Sequence, residues 1–164
     1  MLRPNNEINE IYQRQVDVVY RVCLSYTQNV ADTEDCVSDT FMKLIQSDMK
    51  FNNIEHEKAW LIRTASNICK NRLKHWSRKN LDLEDYVDYS DPSDTPDKNV
   101  ENNEILEAVR GLPEKLRTVV YLYYYEGYTS IEIAKTLGKA DSTVRKHLKE
   151  ARNLLKHLLE GYNL

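Results

Sequence analysis

Residues 129–159 read TSIEIAKTLGKADSTVRKHLKEARNLLKHLL, and this stretch decides the fold. Ile131, Ile133, Ala134 and Leu137 supply the apolar positions of a short helix, and Gly138 follows them at once. A glycine there suits the left-handed conformation that ends many helices. Asp141, Ser142 and Thr143 offer N-cap side chains, so a second helix is expected to begin close to Asp141 or Ser142. In that helix Val144, Leu148, Ala151, Leu155 and Leu158 recur at steps of four and three, which makes one buried stripe. Arg145, Lys146, Lys149, Arg152 and Lys156 lie on the other side. A short helix, a tight turn and a helix with one cationic face form a helix-turn-helix, whose second helix can enter the major groove. A solvated helix also carries such a face, so these residues alone leave both readings open.

Outward from that stretch, the chain of 164 residues has room for one or two small domains. Its 41% hydrophobic and 30% charged residues fit a globular protein and exclude a disordered or fibrous one. No apolar run approaches a membrane span, and MLRPNNEINE has no apolar signal core, so the cytoplasm is the expected compartment. Cys23, Cys36 and Cys69 are odd in number, widely spaced and fall on apolar helical positions. They are expected to be buried free thiols and not a disulfide or metal site. His56, His75, His147 and His157 form no ligand cluster with them.

The formal net charge of −3 hides an asymmetry. Segment 51–79 carries +5 and segment 108–164 carries +4, whereas 80–107 carries −9 between them. Two nucleic-acid-facing modules joined by a linker that avoids or imitates nucleic acid would have this pattern.

A first helix is expected over about Glu7 to Thr27, with Ile8, Ile11, Tyr12, Val16, Val19, Cys23 and Tyr26 in helical period. A second begins near Asp32 and turns Cys36, Val37, Phe41, Leu44 and Ile45 inward. Its outer face shows Glu34, Asp35, Ser38 and Asp39, an acidic patch that reads most simply as compensation of the helix dipole. A third helix, about Glu57 to Lys79, places Leu61, Ile62, Ala65, Ile68, Cys69, Leu73 and Trp76 in one sector. The opposite sector holds Arg63, Asn67, Lys70, Asn71, Lys74 and Arg78, with Trp60 on its flank. Cations, carboxamides and an aromatic ring can bind phosphates, hydrogen-bond base edges and stack on an unpaired base. The alternative is a solvated face with Trp60 tucked against the preceding loop.

From Asn80 to about Asn99 the helical pattern gives way to regularly spaced aspartates with Pro92 and Pro96, a flexible, self-repelling linker. Helix returns from about Val100 to Val109, breaks at Gly111 and Pro113, and resumes from Glu114 to Glu126 with Leu116, Val119, Val120, Tyr123 and Tyr124. VVYLYYY has strand propensity, but the three-four spacing and the lack of a partner strand favour helix. The expected fold is all-α, with two small helical domains (1–79 and 100–164) joined by an acidic linker (80–99) and no internal repeat.

The order of these pieces resembles the extracytoplasmic-function class of bacterial sigma factors, in the sigma-70 family, over nearly the whole chain. ADTEDCVSDTFMKL is similar to the family's polymerase-binding segment, and AWLIRTASNICKNRLKHWSRK to its promoter-melting helix, both in sigma domain two. GLPEKLRTVVYLYYYEGYTSIEIAKTLGKADSTVRKHLKEARNLL resembles sigma domain four. The resemblance implies that Asp35, Ser38, Asp39 and Phe41 dock on the clamp helices of the polymerase's largest subunit. Asn67 would help hold a flipped base of the minus-ten element, surrounded by Trp60, Arg63, Lys70, Asn71, Lys74 and Arg78. Extruding a base costs a few kcal/mol of stacking, and a polar pocket flanked by an aromatic offsets that cost. Arg145, Lys146 and Lys149 would face the minus-thirty-five element, with Thr143 and Arg152 placed for phosphates. The linker resembles one that threads the polymerase cleft on a path later taken by RNA.

The implied partners are core RNA polymerase (clamp helices of the largest subunit, flap of the second-largest), promoter DNA and an anti-sigma factor, which in the class is often membrane-anchored. No cofactor, metal or direct membrane insertion is implied, and the protein is expected not to be an enzyme. Ser38 stands where the family usually has glutamine. Ser142 replaces the usual glycine before Thr143, and Lys139 and Ala140 replace an apolar and a capping residue; these departures bear on where the recognition helix starts. Two rival readings remain at this point. One is an autonomous helix-turn-helix regulator, which would not need the basic face around Asn67. The other is a cysteine-based enzyme or metal-dependent redox sensor, which the absence of CxxC or HxxxC spacing and of a glycine-rich phosphate loop opposes.

Overall fold

The computed structural model describes residues 3–79 and 107–159, with the backbone alone for 77–79. The acidic linker and the helix expected from Val100 to 106 lie outside the described residues. The chain divides into two units, Met1–Ser90 and Asp91–Leu164. Among the described residues every regular element is helical.

The N-terminal unit packs three helices against one another: α1 (Asn5–Thr27), α2 (Val30–Gln46) and α3 (Ile54–Lys79). The turn from α1 to α2 takes two residues. Gln28 adopts a left-handed conformation (φ 61°) and donates its N–H to the Leu24 carbonyl, which ends α1. Asn29 then caps α2, its side chain accepting the Asp32 N–H at 2.8 Å. The second helix thus starts two residues before the expected Asp32, because asparagine at 29 is the better-placed cap. In the same way α3 starts at Ile54 and not at Glu57, since the Asn53 side chain accepts the His56 N–H at 2.8 Å.

Val19, Val22, Cys23, Cys36, Leu44, Leu61, Ile62, Ala65 and Cys69 are fully buried. Burying each larger aliphatic side chain contributes about 1.5–3 kcal/mol. The stripe of α1 is rotated from the expected one. Ile11, Gln15, Val18 and Val22 lie at its centre, whereas Tyr12 is 41% exposed and Val16 half-buried. A glutamine can sit there because Glu57, itself buried, accepts from Gln15 Nε2 at 3.0 Å and from Arg14 at 2.9 and 3.2 Å. The three cysteines are free and buried where the helices meet. The Cys36 thiol is pushed far up by its hydrogen bond to Cys69 and by burial, and Cys69 far up by its bond to Cys23. These thiols are inert core groups.

In the C-terminal unit α4 (Glu114–Val120) follows the break at residues 111–113. It continues as a π-helical turn over Tyr121–Tyr125, where the Glu126 N–H reaches back five residues to the Tyr121 carbonyl. The wider turn re-phases the side chains. Leu122 is fully buried, whereas Tyr124 is exposed and Tyr123 only half-buried, although both follow Leu116, Val119 and Val120 at three-four spacing. Two further helices, α5 (Ser130–Leu137) and α6 (Asp141–Leu158), complete the helix-turn-helix.

A reciprocal capping box starts α5, with Thr129 Oγ1 accepting the Glu132 N–H and Glu132 returning a carboxylate to the Thr129 N–H. Gly138 ends it at φ 69°, in the expected left-handed conformation. Ile133, Ala134 and Leu137 are buried, but Ile131 is 66% exposed, because two residues of helix turn it away from Ile133. Along α6, Val144, Leu148 and Ala151 are buried, Leu155 packs in part against Leu112, Leu116 and Val120, and Leu158 is half exposed.

Candidate nucleic-acid interface

The α3 surface is built as its periodicity requires. Arg63, Asn67, Asn71 and Lys74 are exposed, and Lys70 and Trp60 are half-buried on the side away from Leu61, Ala65 and Cys69. The side chain of Arg78 lies outside the described residues. Trp60 is held by the preceding loop, its ring centroid 5.7 Å from that of Phe51 at an interplanar angle of 60°. It nevertheless lines an open cleft of about 370 Å³, together with Lys43, Gln46, Ser47, Thr64 and Asn67.

The cleft brings together Trp60 and Asn67 out of the expected set and leaves Arg63, Lys70, Asn71 and Lys74 along the helix outside it. Its other wall, from the end of α2, was not anticipated. Lys43 is in the last turn of α2 and Ser47, four residues on, is its C-cap, and that spacing is the one sequence signal for them. Thr64 donates its hydroxyl to the Trp60 carbonyl at 2.8 Å. An aromatic ring, two carboxamides, two hydroxyls and an ammonium around a space of this size can stack on a planar heterocycle and hydrogen-bond its edge.

The acidic patch has a partner that the sequence did not point to. Arg72 of α3 sets Nη1 3.2 Å from Asp35 and Nη2 3.5 Å from Asp39. With α2 starting at Val30, Asp32 is in the first turn, but Asp35 and Asp39 are beyond it. Dipole compensation fades within the first turn, so it accounts for Asp32 and not for the patch. Ser38 is exposed beside them in sequence, whereas Phe41 is buried, its ring centroid 4.9 Å from that of Tyr12.

The recognition helix starts at Asp141 as expected, but no side chain caps it. Ala140 holds the N-cap position in extended conformation, and the Asp141 carboxylate pairs with Arg145 Nε at 3.2 Å. The preceding turn is secured from the other side, by Gly138 and by the Lys139 N–H on the Ala134 carbonyl. Arg145, Lys146 and Lys149 are exposed, and Thr143 is half-buried in the first turn. Arg152 is already engaged, Nε donating to the Tyr124 hydroxyl at 2.8 Å with the guanidinium 5.6 Å from the Tyr123 ring. His147 sits between these cations, its pKa lowered first by burial and then by Lys139 and Lys115.

Comparison with known proteins matches both units. The family model described as Sigma-70 region 2 covers residues 11–85, and that described as Sigma-70, region 4 covers residues 102–155. Among curated relatives, the ECF RNA polymerase sigma factor SigE of Mycolicibacterium smegmatis is 28% identical over 94% of this chain and 62% of its own length. The relative named "Probable RNA polymerase sigma factor RfaY", from Xanthomonas campestris pv. campestris, is 28% identical over 87% of this chain and 38% of its own. The chain thus spans less than two thirds of the length of either. The fold is similar to that of the sigma factor RpoE, solved in complex with the anti-sigma factor NepR from Bartonella quintana. That match has a TM-score of 0.77 at 22% identity, over 96% of this chain and 99% of that one. The chain belongs to the sigma-70 family of RNA polymerase sigma factors, in the extracytoplasmic-function class.

Proposed function

We propose that the protein is a non-catalytic, cytoplasmic initiation subunit that binds core RNA polymerase, reads two promoter elements and assists strand opening. The observation that carries this reading is the pairing, in one chain, of a region 2 unit bearing an open cleft on a cationic helix with a region 4 helix-turn-helix. On this reading the Asp35, Ser38 and Asp39 surface, backed by Phe41, docks on the clamp helices, and the flap meets the region 4 unit. A flipped minus-ten base enters the cleft beside Trp60 and Asn67, while Arg63, Lys70, Asn71, Lys74 and Arg78 hold the strand's phosphates and neighbouring bases. Arg145, Lys146 and Lys149 read the minus-thirty-five element, with Thr143 and Arg152 on phosphates.

Residues 80–99 would link the two units through the polymerase cleft, and an anti-sigma factor would mask the docking surfaces until a signal arrives. An autonomous regulator is not favoured, since it would not need the region 2 unit. The test is binding of the purified chain to bacterial core RNA polymerase, followed by transcription from the DNA upstream of its own coding region. Stable binding with new promoter-specific transcripts supports the reading and maps the promoter. Tight duplex binding by the chain alone, with no polymerase binding, overturns it.

A further inference from the structure

One residue near the start of the chain reaches across the N-terminal unit to the loop that walls the cleft. Arg3 donates Nε to the Leu44 carbonyl at 3.3 Å, at the end of α2, and Nη2 to the Met49 carbonyl in the loop. Its Nη1 pairs with Glu7 at 2.9 Å, and its guanidinium carbon stands 5.1 Å from the centre of the Phe51 ring. The Arg3 side chain is only 9% exposed, so this is a packed arrangement and not a surface arm. Phe51 in turn packs against Trp60 and, edge-on, against His56, which accepts the Asn52 N–H at 3.1 Å. Ser47, a wall residue of the cleft, is tied into the same loop by accepting the Met49 N–H at 3.0 Å.

The chain of contacts therefore runs from Arg3 through Phe51 to Trp60, and from Arg3 through Met49 to Ser47. The two ends of the loop are held by the helices themselves, the Ser47 N–H on the Leu44 carbonyl at 3.2 Å and Asn53 accepting the His56 N–H at 2.8 Å, and Arg3 adds a tie between them at Met49. A site that must grip a planar base needs its stacking ring and its polar wall held in register, and a displacement of about 1 Å is enough to weaken it severely. We infer that Arg3 is a positioning residue for the base-binding cleft, fixing the 47–51 loop so that Phe51 backs Trp60 and Ser47 faces Asn67. A lysine there would keep the charge over Phe51 but could not span the Leu44 and Met49 carbonyls as the planar fork does.

This inference rests on the reading of the cleft as a base site, and one experiment separates the two. Holoenzyme made from core polymerase and the full chain is titrated with the non-template minus-ten strand of the mapped promoter, intact or with an abasic site moved through the element. The wild type should lose affinity at the abasic position whose base enters the cleft. Arg3→Ala and Phe51→Leu should bind the intact strand about ten-fold more weakly while binding that abasic strand as the wild type does, with Arg3→Lys in between. Core polymerase binding, measured in parallel, should not change.

Equal losses on intact and abasic strands would mean a general structural role and overturn the inference, as would unchanged binding of the intact strand. Asn67→Ala is the reference. If it loses the discrimination and both Arg3→Ala and Phe51→Leu keep it, the inference alone fails. If Asn67→Ala keeps full discrimination, the base-site reading fails and takes the inference with it.

Discussion

A single guanidinium, that of Arg72 on α3, spans two carboxylates of α2, 3.2 Å from Asp35 and 3.5 Å from Asp39. The helix proposed to read promoter DNA and the patch proposed to dock on polymerase are thereby joined by one residue. Both carboxylates are more than half exposed, so the pairs contribute less than about 1 kcal/mol to folding. Charge changes here are expected to act on association and not on the fold. Asp39→Arg should lower affinity for core polymerase by at least about ten-fold, with a marked dependence on salt. Asn67→Ala should leave that affinity intact and reduce promoter opening, read by permanganate reactivity of unpaired thymines. The reverse order of effects would sink both assignments and leave the fold untouched.

The Glu57 carboxylate is buried and is the shared acceptor for Arg14 and Gln15. Glu57→Ala leaves the Gln15 amide, only 3% exposed, without its partner and frees Arg14 from α3. A loss of about 2–3 kcal/mol is expected, seen as a lower urea midpoint. Gln15→Leu made together with Glu57→Ala should recover part of that loss, because the unsatisfied amide is then gone. No recovery would point to Arg14 as the source of the stability.

Gly138 turns the chain from α5 to α6 at φ 69°. Any residue with a Cβ pays about 1–2 kcal/mol to stay there. Gly138→Ala should therefore destabilise the helix-turn-helix by about 1 kcal/mol. Gly138→Asn should cost less, since asparagine tolerates this conformation. Thermal unfolding of the two variants beside the wild type gives the ranking, and equal midpoints for all three would refute it.

His147 should make the region 4 unit less stable in mild acid. Its folded pKa lies below the ordinary value of 6.5, because burial and the nearby Lys139, Lys115 and Lys146 disfavour the charged form, opposed only by Glu150. The unfolded chain takes up the proton first. Stability is therefore unaffected well above pH 6.5 and falls as pH drops from there towards the folded pKa. The difference in unfolding free energy between wild type and His147→Gln, followed from pH 8 to 5, isolates this effect. A difference that stays flat would show that the imidazole is not restrained.

Several features of the fold were legible because their causes are local. The left-handed Gly138 acts within one helical turn, and so does the buried row of Val144, Leu148 and Ala151. The inward row of Leu61, Ile62, Ala65 and Cys69 fixed the direction of the α3 cationic face in the same way. The failures have a common cause as well. Gln15 has no place in the expected α1 stripe, and only Glu57, 42 residues along the chain, supplies the partner with which it is buried. Tyr124 continues the four-residue spacing of Leu116 and Val120, but the π-turn that starts at Tyr121 shifts the phase and leaves it exposed.

By itself, the sequence determined that this chain is helical, that it carries a helix-turn-helix, and that α3 turns one cationic face outward. Helical period, capping and turn chemistry are short-range forces written in neighbouring residues. Only the tertiary structure decided that Lys43, Gln46 and Ser47 wall the cleft opposite Asn67, that Arg72 holds Asp35 and Asp39, and that Arg3 secures the Phe51 loop. Those partners lie on different helices or loops, and which of them meet depends on how the helices rotate and pack, a result of the whole core that no local pattern encodes.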